Sequence, residues 1–82
     1  MIRKLEQKDK GNWAKLYNGY ADFYKVPMNT EILDTLWGWI HDEAHDVNAI
    51  CFELKGKILG IAHYRTMPRP IKGQYIGFLD DL

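Results

Sequence analysis

Past residue 46 the apolar residues stop recurring at helical spacing and begin to alternate. The alternating runs are joined by links too short for anything but hairpins. Val47 to Leu54 is followed by Lys55-Gly56-Lys57, Ile58 to Met67 by Pro68-Arg69-Pro70 and Lys72-Gly73, and Gln74 to Leu82 reaches the last residue. Period-two alternation suits a half-buried strand, and glycine within a short loop marks a hairpin. Parallel strands need crossovers of a dozen residues or more, so the three predicted strands form an antiparallel meander. Ile50, Phe52 and Leu54 share one face of the first of them. The prolines are expected to end the second, because proline cannot donate to a ladder.

Before residue 46 the pattern is helical. Trp13, Leu16, Tyr17, Tyr20 and Tyr24 recur at helical spacing from Asp9 onward, with Lys15, Asn18 and Asp22 between them. Val26-Pro27 is expected to end that helix, since the residue before proline is pushed out of helical dihedrals. Asn29 or Thr30 caps a second helix, with Glu31 and Asp34 at the positive end of its dipole. Its stripe of Leu33, Leu36, Trp37, Ile40 and Ala44 predicts a helix to about His45. Ile2 to Leu5 reads as a short first strand. The order is strand, helix, helix, strand, strand, strand: a single α+β domain over residues 1–82, with two helices on one face of a four-stranded, largely antiparallel sheet. The other sheet face and the edge of the last strand are left bare, and an apolar edge tends to pair. With 46% hydrophobic and 13% aromatic residues in 82, some apolar surface is expected to meet a partner or further chain.

Charge and cysteine exclude several classes. Eleven basic residues balance eleven acidic ones, which leaves no excess to hold a nucleic-acid backbone. No apolar run approaches the roughly 20 residues of a membrane helix, and the N-terminus has no signal-peptide core. A cytoplasmic setting is expected. Cys51, between Ile50 and Phe52, reads as a buried small hydrophobe rather than a nucleophile. His41 and His45 stand four apart on the predicted helix, but Asp42 holds the place where a zinc-protease pattern has glutamate. No third ligand is evident, so no metal is expected. Arg65, Arg69 and Lys72 gather around the proline hairpin.

Two segments carry a likeness to a known family. Gly60-Ile61-Ala62-His63-Tyr64 resembles the third strand of the GCN5-related N-acetyltransferase superfamily, where a G-x-A step follows the hairpin from the second strand. Gly77-Phe78-Leu79-Asp80-Asp81-Leu82 resembles the fourth, which ends in an acidic or polar pair. The order of elements matches the amino-terminal half of that fold, and the proline hairpin and acid pair are nearest to acetyltransferases of small amines and polyamines. The resemblance implies transfer of acetyl from acetyl-CoA to a primary amine by direct attack. It implies a β-bulge near the last residues whose N–H groups polarise the thioester, with Leu82 on the coenzyme side. It also implies that the loop gripping the coenzyme diphosphate follows the fourth strand, so that this chain is a partial domain without activity by itself.

The resemblance assigns Asp80 to bind or deprotonate the amine, a step that needs the neutral amine and is helped by a nearby carboxylate. Asp81 is its neighbour at the acceptor. Tyr20, Tyr24 and Trp37 are candidates to line the acceptor pocket, where aromatic faces hold cations; each also fits a helical core stripe, the commoner role of such a residue. His63 either faces the acceptor cleft and relays a proton, or is a hydrogen-bonded strand residue. Two functions are therefore carried forward. One is an N-acetyltransferase fragment acting on a small-molecule amine. The other is a non-catalytic module that forms a homodimer through its last strand or bare sheet face.

Overall fold

The meander forms because Lys55 and Gly56 both take positive φ, at 52° and 77°. A two-residue loop of that kind matches the right-handed twist of paired strands. A computed structural model describes residues 1–82. β1 (Ile2–Lys4) is followed by a 3-10 turn (Gln7–Asp9), α1 (Lys10–Phe23), α2 (Thr30–Ile40), β2 (Val47–Leu54), β3 (Lys57–Arg69), a second 3-10 turn (Pro70–Lys72) and β4 (Gln74–Asp81). The four strands form one antiparallel sheet in the order β1-β2-β3-β4. No helix is long and apolar enough to cross a membrane.

α1 ends at Phe23, three residues before Val26. Lys25 adopts a left-handed conformation, and the Val26 N–H donates to the Ala21 carbonyl at 2.8 Å. This six-to-one closure satisfies carbonyls that the last turn would otherwise orphan. Asn29 caps α2, its side-chain oxygen accepting the Ile32 N–H at 2.8 Å. The second helix stops at Ile40, not near His45. Asp42 accepts the Ala44 N–H at 2.9 Å, a local bond that competes with the helix. Two acids at the negative end of the dipole weaken any further turn. His41 and His45 therefore do not share a helix face: one packs on Trp37 and the other stacks on Trp39.

β3 runs through Pro68, contrary to the expected break there, and pairs it with Tyr75. β2 begins only opposite Arg65, so it does not flank β3 beyond that residue. At that point β3 has one open side, so a missing N–H costs no ladder bond. The turn comes at Pro70–Lys72, closed by Gly73 at φ 60°.

The helices lie over one sheet face, α1 against β3 and α2 against β2. The core joins Leu5, Trp13, Leu33, Trp37, Ala49 and Cys51. The sheet positions beneath the helices are small because two indoles, 4.8 Å apart, fill the space above them. Ile50, Phe52 and Leu54 consequently point to the other, uncovered face. Cys51 is buried, and burial pushes its thiol pKa up.

Candidate functional site

β4 departs from regular pairing where it approaches its end. His63 pairs with Asp81, but Tyr64 pairs with Leu79, leaving Asp80 as an extra residue. Two residues opposite one make a β-bulge, which twists a strand and re-aims its side chains. Alternation would send the two adjacent acids to opposite faces. The bulge instead turns both into one cleft, about 430 Å³ in volume, between α1, α2, the start of β2, the middle of β3 and the end of β4. Tyr17, Leu36, Val47, His63 and Arg65 complete its walls.

The two carboxylates differ in their partners. Asp80 Oδ1 receives the Arg65 Nε at 3.2 Å, and the same guanidinium lies 5.1 Å from the Phe78 ring centre. Asp81 Oδ2 accepts the Tyr17 hydroxyl at 3.0 Å and lies 3.1 Å from His63 Nδ1. On its far side His63 Nε2 accepts the Trp13 indole N–H at 2.9 Å. Trp13 and Tyr17 are one helical turn apart on α1, so a single helix face supplies both ends of this network. Burial pushes the His63 pKa down, partly opposed by Asp81. The Tyr17 hydroxyl is pushed up, first by burial and then by Asp81. The Tyr20 phenol is pushed up for the same two reasons.

Of the other expected site residues, His63 lines the cleft and Tyr20 stands near it, whereas Tyr24, Trp37 and Leu82 lie elsewhere. Tyr20 stands beside Asp81 and stacks on Tyr17, whose ring centre is 5.7 Å away. Tyr24 is exposed at the end of α1, against Tyr20 and Phe23. Trp37 lies in the core with its indole N–H on the Gln7 side-chain oxygen at 3.2 Å. His63 is buried on the helix-covered face. Leu82 lines a separate apolar hollow of about 440 Å³ around the open edge of β3, together with Leu16, Tyr20, Leu59, Gly60 and Ile61. That edge is open because β4 pairs only with His63 to Arg69. No basic side chain lines the hollow. No group of three or more His, Cys, Asp or Glu residues is placed to hold a metal ion.

Sequence reasoning did not assign Tyr17, Trp13 or Arg65 to the cleft. The first two carried only the signal of a core stripe, and Arg65 was grouped with a loop that it does not join. Neither a scan against models of known protein families nor a search of curated proteins finds a match.

Proposed function

We propose that this chain forms the acceptor side of an acetyl-CoA-dependent N-acetyltransferase acting on a primary amine. The observation that carries the reading is the pair of unlike carboxylates at the β4 bulge. Asp80 is neutralised by Arg65, whereas Asp81 meets Tyr17 and His63 and no cationic side chain. A half-buried carboxylate without a cation is a seat for one, and a primary ammonium has the size and the donors to fill it.

In this reading Asp81 holds the ammonium in the cleft. Asp80, whose Oδ2 is not engaged by Arg65, receives the departing proton through water. The neutral amine attacks the thioester carbonyl carbon. As the carbon–sulfur bond breaks its electron pair goes to sulfur, which leaves as the thiolate and takes a proton. The products are the N-acetyl amine, free coenzyme A and a proton. The apolar hollow at Leu82 suits the thioester arm, and the diphosphate needs groups outside it. Support comes from the element order, from the bulge at Asp80 and from the electrostatics of the cleft.

The test is coenzyme A thiol release with butane-1,4-diamine as acceptor, using the chain by itself and in its native reading frame. Amine-dependent release is the expected result in the native frame. Asp81→Asn is expected to raise KM for the amine roughly 10–100-fold, and Asp80→Asn to lower kcat roughly 100-fold at similar KM. Absence of release with any of a panel of primary amines would sink the reading.

The uncovered sheet face favours a second reading, a homodimeric module. Ile2, Phe52, Leu54, Tyr75 and Leu79 are exposed there, and apart from Lys4 and Lys57 the paired residues of that side are uncharged. Two copies set face to face therefore bring no opposed acids together. Light scattering separates the readings: a dimer unaffected by acetyl-CoA supports the module, and a monomer at all accessible concentrations removes it.

A further inference from the structure

We propose that Trp13, acting through His63, is a positioning residue that keeps Asp81 an uncompensated anion for a cationic amine. This rests on the reading above that the cleft takes an amine. Nothing else in that reading requires Trp13, which the sequence offers only as a core residue.

The Trp13 indole N–H can only donate, so the His63 Nε2 that it meets at 2.9 Å bears a lone pair and no proton. The imidazole proton therefore sits on Nδ1 and is donated to Asp81 Oδ2 at 3.1 Å. The Tyr17 hydroxyl donates to that same oxygen. Both bonds fall on Oδ2, and Oδ1 takes part in neither. Both donors are neutral, so they orient the carboxylate without cancelling its charge.

Protonating His63 would place a second N–H against the indole N–H, donor facing donor. It would also set a cation directly on Asp81, where it would compete with an incoming ammonium. Trp13 opposes both. His63 is 2% exposed, and burial acts in the same direction. The charged and titratable groups around the imidazole are few. Asp81 and Asp80 come from β4, Tyr17 and Tyr20 from α1, and Arg65 from β3 itself; α2 contributes Leu36 and β2 contributes Val47 and Ala49, none of them charged. Arg65 is held by Asp80. The acids alone would favour an imidazolium; burial and the indole donor both oppose it. His63 consequently serves as a fixed donor and not as a proton relay: one nitrogen is blocked by Trp13 and the other is committed to Asp81.

The first test needs no ligand. Nitrogen-resolved NMR of the His63 ring from about pH 8 to about pH 5 reads its tautomer and titration directly. The Nδ1–H form is expected to persist through this range in the wild type. In Trp13→Phe, which keeps a ring in the core and removes the donor, His63 is expected to charge at higher pH. An Nε2–H tautomer in the wild type, or identical titrations in the two proteins, overturns the proposal. The second test is calorimetric binding of butane-1,4-diamine. Wild-type affinity is expected to be flat over the same range. Trp13→Phe is expected to match it near pH 8 and to lose roughly tenfold near pH 5.5. The double variant Trp13→Phe/His63→Asn replaces the Nδ1 donor by an amide that cannot charge, and is expected to restore the flat profile; a pH-dependent loss that persists in it overturns the proposal. A wild type with the expected tautomer but no diamine binding would overturn the amine reading, whereas the ring spectra by themselves decide whether Trp13 locks His63.

Discussion

Trp13→Ala is expected to abolish cooperative folding. Trp13 is wholly buried, and its ring meets Trp37, Tyr17 and His63 at centroid distances of 4.8, 5.9 and 6.0 Å. Truncating a buried tryptophan costs about 3–5 kcal/mol in lost transfer energy and cavity. Stranding the His63 Nε2 acceptor adds about 1–3 kcal/mol. A domain of this size has roughly 4–12 kcal/mol of stability in all. Only ten of 82 residues are buried, so no second cluster exists to take up the loss. The check is urea unfolding followed by helical circular dichroism. The wild type is expected to unfold in one cooperative transition and the variant to show none at 37 °C. A variant midpoint close to the wild-type value would mean that Trp13 is not the centre of the core.

Asp9→Ala carries the second-largest expected effect, and for a different reason. Asp9 is 4% exposed and forms a two-pronged pair with Arg3, at 2.7 and 3.0 Å. It also accepts the Glu6 N–H at 2.7 Å. Arg3 reaches on to Glu53 at 2.8 Å, so one guanidinium ties β1, the turn into α1 and β2 together. Breaking a fully buried pair costs about 3–5 kcal/mol. Because Arg3 retains Glu53 and touches solvent, the expected loss is about 2 kcal/mol, or a fall in Tm of roughly 8–16 °C.

The acid side gives a sharper signature of the same pair. The Arg3 guanidinium holds the Asp9 carboxyl below the usual carboxylate range. An unfolded aspartate titrates near 3.9. A folded pKa below the unfolded one means that the unfolded chain binds more protons between the two values. The stabilisation is therefore complete above about pH 4 and is lost as pH falls through the folded value. Arg3, pushed upward by Asp9 and Glu53, stays charged throughout and adds no pH dependence. Urea midpoints measured from about pH 6 to about pH 2 should fall more steeply in the wild type than in Asp9→Ala. Parallel curves would show that the pair contributes nothing to acid stability.

Element order was legible because it depends on local quantities. Period-two alternation after residue 46, the Lys55-Gly56 turn and the Asn29 cap each act within a few residues, and each appears in the fold. The early end of α2 was also written locally, in Asp42 and Glu43, but the stripe reaching Ala44 masked it. The run of β3 through Pro68 was not legible, because a proline is excluded only where a neighbouring strand needs its N–H. That neighbour, β2, begins only opposite Arg65.

The candidate site was half legible. Asp80 and Asp81 were offered by the resemblance and His63 by its place in the third strand, but their partners were not. Tyr17 lies 64 residues from Asp81, and Trp13 lies 50 from His63. On α1 both are indistinguishable from core residues until the helix is laid on the sheet. The acids were expected on opposite faces, because strict alternation admits no other answer. One extra residue in the pairing of β4 with β3 set them in one cleft. The amino-acid sequence by itself determined the helices, the strands, the hairpins and the α+β class, since propensity, capping and turn geometry act over a few residues. Only the tertiary structure decided which carboxylate meets a cation, which nitrogen of His63 is bare and which aromatics are core, because those depend on groups that the chain keeps far apart until it folds.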